Sequence, residues 1–391
     1  MTNPGRANQL NVIMPSLHPF AMAALLPFAY SSNVLKITAL YTNDNGGVRE
    51  LTLRGSGLGL DWKRGIQMHE SPKGTFTAEL NFTAADEGNV LEFKTLAEKD
   101  TVWQLGGNSM AIIGEGTATV YPWFVQETGD YFVAEHDVPC KYFQNTRDVV
   151  VYLPAPALEN THPDAKWETL VMHDGQNVFN DSTSFGGISW RAGDTIDTGI
   201  GMGAMRPIAV VAPYNTADRM AEYTPVKDPQ YDGGEGDHYL DFLTEDLLPL
   251  VAPKYRLATD RDNLGLLGSS LGGLISCYAG FTRDDYGRVG CMSSSFWWDN
   301  QYFNNTLLVN HDPPASDTVF YMDSGDQPAP DGDDELETIG VRDHMERLGW
   351  TLKENLFYEL QKGGAHNEES WGSRFYLPME ELYPLRPVKV V

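Results

Sequence analysis

The chain has 391 residues, 41% of them apolar, and its 28 Lys and Arg stand against 54 Asp and Glu for a formal net charge of -26. Such a length suits two domains better than one, and so acidic a field repels polyanions and anionic lipid surfaces, which argues against nucleic acid or a membrane as partner. Cys140, Cys277 and Cys291 make no C-x-x-C pair and read as small buried hydrophobes, and no apolar run reaches the roughly 18 residues that cross a bilayer.

Residues 1–33 contain the apolar stretch Phe20-Ala-Met-Ala-Ala-Leu-Leu-Pro-Phe-Ala-Tyr-Ser31. Arg6 lies far from it and Pro27 interrupts it, so the segment reads as an N-terminal extension rather than a secretory signal, which favours a cytoplasmic location. From residue 34 to 129 the text alternates, as in Leu35-Lys-Ile-Thr-Ala-Leu-Tyr41, Glu50-Leu-Thr-Leu-Arg54, Thr75-Phe-Thr-Ala-Glu-Leu-Asn-Phe82 and Val90-Leu-Glu-Phe-Lys94, with Gly, Asn, Asp and Pro between. Period-2 strands at this spacing predict a β-sandwich. Gly55-Ser-Gly-Leu-Gly-Leu-Asp-Trp62 and Trp103-Gln-Leu-Gly-Gly-Asn108 resemble landmarks of starch-binding-type carbohydrate modules. That resemblance implies tryptophans stacked on sugar rings, although Trp62 and Trp103 serve equally well as sandwich core.

Residues 130–391 change character. Tyr131–Glu135 and Asp148–Leu153 read as opening strands, and Thr169–Met172, Pro207–Ala212, Leu264–Leu267, Val289–Met292 and Thr318–Met322 are short apolar runs typical of buried parallel strands. Helical spacing appears in Tyr239–Leu250 and Thr338–Leu348, the latter stopped by Gly349. The fold class is therefore α/β: a doubly covered, mostly parallel sheet preceded by an all-β sandwich.

The stretch Asn263–Ser276 reads as strand, glycine-pinched turn and helix, and within it Gly268-x-Ser270-x-Gly272 has the nucleophile-elbow spacing. A serine at the tip of that turn is presented to substrate, and the Leu271 amide is aimed at a developing oxyanion. Serine needs a general base, and the base needs an orienting acid. Of the three histidines after Ser270, His311 precedes a Pro-Pro pair and His344 lies in a charged helix. His366 follows the flexible Gln361-Lys-Gly-Gly-Ala365 beyond the strand-like Asn355–Leu360, where a base would project over the carboxyl edge of the sheet. The acid belongs in the loop Asp323–Leu336, where Asp326, Asp331, Asp333 and Asp334 all qualify by chain order. A second oxyanion amide is expected from Gln176, in the turn after Thr169–Met172. His173 and Asp174 have no partner at ligand spacing, so neither a metal nor any other cofactor is expected.

The text His173-Asp-Gly-Gln-Asn-Val-Phe179, Glu222-Tyr-Thr-Pro225, Gly268-Ser-Ser-Leu-Gly-Gly273, Ser294-Ser-Phe-Trp-Trp298 and Gly363-Gly-Ala-His-Asn367 resembles one branch of the α/β-hydrolases. That branch includes feruloyl esterases, enterochelin esterase, S-formylglutathione hydrolase (esterase D) and the mycolyltransferases. The resemblance covers residues 131–391 and implies a serine carboxylic-ester hydrolase working through an acyl-enzyme on a small-molecule or carbohydrate-linked ester. In relatives the catalytic aspartate is commonly followed by one variable residue and then Leu or Phe, and Asp334-Glu335-Leu336 fits, so the resemblance selects Asp334. Phe296, Trp297 and Trp298, just after a strand, are candidates to line the substrate pocket. The alternatives are an acyltransferase or thioesterase of the same fold, or a catalytically silent carbohydrate-binding protein.

Overall fold

A computed structural model describes residues 33–42, 50–311, 317–328 and 332–385. The extension ending at residue 33 lies outside these except for its last residue, and Asp331 lies outside them as well.

Alternation builds the first unit. In Val34–Leu40 (β1) Leu35, Ile37 and Ala39 are buried while their neighbours are not, because successive strand side chains point to opposite faces. Eight strands follow: Thr52–Ser56 (β2), Ile66–Gln67 (β3), His69–Glu70 (β4), Thr75–Asn81 (β5), Val90–Ala97 (β6), Val102–Trp103 (β7), Ser109–Ile112 (β8) and Thr117–Val120 (β9). They form the sheets β4-β5-β1-β9 and β3-β2-β6-β7, the second with β8 paired to β6. One core holding Ile37, Leu53, Phe76 and Phe93 lies between them, which is the expected sandwich.

The second unit opens with Asp130–Cys140 (β10), Asn145–Leu153 (β11), Glu168–Met172 (β12) and Ile208–Pro213 (β13). A small hairpin, Lys227–Asp228 (β14) and Asp232–Gly233 (β15), precedes Leu264–Ser269 (β16), Arg288–Met292 (β17), Val319–Gly325 (β18) and Leu356–Gln361 (β19). The eight-stranded order is β10-β11-β13-β12-β16-β17-β18-β19. Pairing is antiparallel through β10, β11 and β13 and parallel from β13 to β19. Every residue of β13 and β16 is buried, as a sheet covered on both faces requires. One face packs the helix Leu271–Thr282 together with Val341 and Met345 of the helix Glu335–Arg347. The other packs Ile196 and Ile200 of the helix Ala192–Met202 beside Met379 and Leu382.

From β12 the chain goes to β13 on one side and then returns to β16 on the other. Strand order therefore reverses between β12 and β16, and the crevice beyond the carboxyl ends at such a reversal is where open α/β sheets bind ligands.

The cysteines correct the expectation that all three are unpaired apolar fillers. Cys277, on the helix behind the elbow, and Cys291, on β17, form a disulfide, while Cys140 is buried and free. Their spacing carries no redox or metal signature because they meet only where the helix crosses the strand.

The two units are joined by specific contacts. Trp123, 1% exposed, belongs to the core of the second unit, and the Glu159 carboxylate accepts from the amides of Phe124 and Val125 (2.8 and 2.7 Å) and from the Tyr41 hydroxyl (3.0 Å).

Candidate active site

Ser270 follows β16 with φ 58 and ψ -125, a conformation costly for any residue with a Cβ and characteristic of functional turns. The flanking glycines make the turn possible. A Cβ on Gly268 would lie 2.8 Å from the Gly272 carbonyl carbon and 2.8 Å from the His173 ring. The Ser270 hydroxyl is half-buried and lies 3.4 Å from Ser295 Oγ. Among the described residues no acceptor pairs with the amide of Leu271 or of Gln176, so both remain available to an oxyanion.

His366 stands after β19, as expected, and its Nδ1 lies 2.6 Å from Asp333 Oδ1. Asp333 is the aspartate that meets the imidazole, which corrects the expectation of Asp334. The Asp334 carboxyl makes no hydrogen bond to His366 among the described residues; its backbone sits at φ 23 and opens the helix Glu335–Arg347. The neighbours are also electrostatically distinct. Burial raises the Asp333 pKa, but hydrogen bonds from His366, Ser293 and the Gly325 amide outweigh it and hold the carboxyl below its usual value. Asp334 is pushed upward, chiefly by burial and then by Glu337. Asp326 is exposed and accepts from the Gly363 amide, which makes it a loop-bracing residue.

No hydrogen bond joins His366 to Ser270 among the described residues. A serine–histidine contact that tightens only with substrate is common in unliganded hydrolases.

The amide loop after β12 is held by a buried network. Asp174 takes a bidentate pair from Arg219 (Nε 2.7 Å, Nη2 2.9 Å) and a bond from Asn215. Its amide donates to the Tyr223 hydroxyl at 3.2 Å, and His173 Nδ1 lies 2.9 Å from the Tyr239 hydroxyl. Burial keeps His173 neutral, with a pKa lowered to about 3. Glu222 anchors the segment through a fully buried bidentate pair with Arg147 (Oε2–Nη1 3.0 Å, Oε1–Nη2 2.5 Å). The His173–Phe179 and Glu222–Pro225 stretches are therefore two halves of one brace under the Gln176 amide.

The model of the Esterase family matches residues 140–377, more than half of the chain. The chain belongs to the Esterase family. It is a carboxylic ester hydrolase. Among curated proteins it is similar to the "Uncharacterized protein YbbA" of Bacillus subtilis, 28% identical over an alignment of 194 residues, with 45% of this chain and 74% of that protein covered. Among solved structures it is similar to an IroE-like serine hydrolase from Shewanella oneidensis (19% identity, TM-score 0.49, 65% of this chain and 79% of that one). It is also similar to the enterobactin esterase FES from Shigella flexneri (14% identity, TM-score 0.49, 89% and 92%).

In this esterase the aromatic triplet divides. Phe296 and Trp298 are 0% and 1% exposed and lie in the core, which corrects their assignment to the pocket: Trp298 spends its indole N–H on the Val226 carbonyl at 2.7 Å. Trp297 is 36% exposed, two residues from Ser295, and packs edge-on against the exposed Tyr231 of the β14–β15 hairpin, ring centroids 5.5 Å apart. Tyr231 had no motif to mark it, because only the docking of that hairpin brings it to Trp297. Hairpin and triplet are joined by the Trp298–Val226 bond and by the Asp299 amide donating to Asp228 Oδ2 at 3.1 Å.

Proposed function

We propose that this esterase works by two-step acyl transfer to water with Ser270 as nucleophile, His366 as general base and Asp333 as the orienting acid. The observation that carries the reading is the 2.6 Å Asp333–His366 contact beside a serine held in elbow geometry. With Nδ1–H donated to Asp333, the lone pair of Nε2 is free to take the Ser270 proton as the hydroxyl attacks the ester carbonyl. The tetrahedral oxyanion is received by the Leu271 and Gln176 amides, neither of which has an acceptor among the described residues. His366 then gives its proton to the departing alcohol, and water repeats the sequence on the acyl-enzyme.

The exposed Trp297–Tyr231 pair, with Trp297 two residues along the chain from Ser295, offers an apolar corner that suits an aromatic or carbohydrate-linked ester, and the charge of -26 opposes strongly anionic substrates. Stopped-flow hydrolysis of p-nitrophenyl acyl esters should give a burst of about one equivalent of p-nitrophenol wherever deacylation is slow. Parallel turnover of feruloyl esters, acetylated xylan and a thioester would rank the substrate classes. Absence of turnover on all of them would remove the hydrolase reading, and acyl transfer to added sugar in place of water would favour the transferase alternative.

We propose for the sandwich a second, independent activity, binding of polysaccharide. Trp62 and Trp103 are not core. Trp103 is 40% exposed on an edge strand, Trp62 is half-buried, and their rings stack at 6.3 Å and 27° with the Arg54 guanidinium 5.0 Å from the Trp103 ring centroid. A flat aromatic surface matches the apolar face of a pyranose. Because Trp123 is rooted in the hydrolase core, point variants test this more cleanly than truncation. Trp62→Ala with Trp103→Ala should leave turnover of soluble esters within about twofold, since surface changes distant from a site are usually mild, while retention on insoluble starch or xylan falls. Equal retention of variant and parent would reduce the sandwich to a spacer.

A further inference from the structure

We infer that Ser293, backed by Arg374 and Trp371, is a positioning residue that fixes the orientation of the Asp333 carboxylate toward His366. This rests on the triad reading above and extends it one layer inward.

Ser293 follows β17 at φ 41, in the left-handed region that disfavours residues with a Cβ. Its amide donates to the Asp323 carbonyl and to Asp323 Oδ1, both at 3.0 Å. Its hydroxyl has three partners: Trp371 Nε1 at 2.8 Å, Arg374 Nη2 at 2.6 Å and Asp333 Oδ2 at 2.5 Å. An indole N–H and a guanidinium can only donate, whereas a hydroxyl has two lone pairs and one proton. Both lone pairs are thus occupied, and the proton is committed to Asp333.

Asp333 Oδ2 also accepts from the Gly325 amide at 2.5 Å and lies 3.4 Å from Arg374 Nη2. Oδ2 is saturated, which leaves Oδ1 for His366 alone. Trp371 closes the arrangement from the other side, with its ring edge-on to the imidazole at 5.0 Å. Ser293, Asp323, Asp333 and Arg374 are at most 3% exposed and Trp371 is 6% exposed, so water does not compete for these bonds.

The charge count points the same way. Two buried carboxylates, Asp323 and Asp333, share one guanidinium, with Arg374 Nη2 2.9 Å from Asp323 Oδ1. Asp323 also accepts from the Tyr321 hydroxyl at 3.1 Å, and a proton taken from Ser270 places a second cation, the His366 imidazolium, against Asp333 Oδ1.

Two variants separate positioning from scaffolding. Glycine is at ease at φ 41, so Ser293→Gly relieves the backbone while deleting the hydroxyl, and Ser293→Ala deletes the hydroxyl alone. Both should lower kcat on a small p-nitrophenyl ester by about tenfold or more with little change in KM, the usual scale for a lost hydrogen bond to a charged group. With a donor gone, the Asp333 charge is concentrated on His366, and the imidazolium keeps its proton to higher pH. The acid limb of kcat/KM against pH should therefore move upward. Of the other ionisable groups around Asp333, Asp323, Tyr321, Asp334 and, beyond His366, Glu368 make no hydrogen bond to the Ser293 hydroxyl among the described residues, while Arg374 loses that acceptor and keeps Asp323 and Asp333 as partners. Wild-type kcat and an unmoved acid limb in a folded Ser293→Gly would overturn the inference, and that variant decides if Ser293→Ala does not fold. An inactive Ser270→Ala beside an unimpaired Ser293→Gly would defeat this inference alone, whereas an active Ser270→Ala would defeat the triad reading beneath it.

Discussion

Replacing Ser270 by alanine should lower kcat for ester hydrolysis by on the order of 10⁴-fold or more without unfolding the protein. The elbow already accommodates a Cβ at φ 58, so the change removes only the attacking oxygen. His366→Ala should be about as damaging, because a nucleophile without its base and a base without its nucleophile fail at the same step. The double variant should match either single one rather than multiply them, since members of one catalytic unit are strongly non-additive. Multiplied losses in steady-state kinetics would mean that another group removes the serine proton.

The acid gives the second large effect and the sharper discrimination. Asp333→Asn keeps the size of the side chain but lets the imidazole adopt the tautomer that cannot accept from Ser270, a change known to cost about 10⁴ in a serine protease. A fall in kcat of at least about a hundredfold is expected. Asp334→Asn and Asp326→Asn should stay within roughly tenfold of the parent. Asp334 touches neither His366 nor Ser270, and asparagine tolerates its positive φ of 23, while Asp326 is exposed on its loop. A tolerant Asp333→Asn beside a crippled Asp334→Asn would mean that this loop rearranges when substrate binds.

The contrast between those neighbours marks where the sequence stops being legible. Strands announce themselves by composition: Leu264–Leu267 and Pro207–Ala212 are apolar throughout because helices cover both faces. Chain order and a glycine-rich loop likewise lead to Ser270 and His366 as the proposed nucleophile and base. The aspartate is different, because four candidates (Asp326, Asp331, Asp333 and Asp334) crowd the loop Asp323–Leu336 and a pattern carried over from relatives slips by one across the Gln327–Gly332 insert. What selects Asp333 is three-dimensional: a hydroxyl just after β17, an amide from β18 and a guanidinium from the helix Glu368–Arg374 converge on one carboxyl oxygen. The same holds for Phe296 and Trp298, which share Trp297's composition and neighbourhood but point into the core. The disulfide too depends on a helix crossing a strand. Ser293 reads as one member of a serine run until its φ and its three hydroxyl partners are seen.

The most direct measurement of the mechanism follows the burst to its chemical product. A slowly deacylating p-nitrophenyl ester is acid-quenched at the end of the burst, the protein is digested, and the acylated residue is located by tandem mass spectrometry. The expected result is one acyl group per chain, on Ser270 and not on the adjacent Ser269, with no adduct in Ser270→Ala. An acyl group on another residue, or turnover with a burst that leaves Ser270 unmodified, would contradict the assignment of Ser270 as the nucleophile.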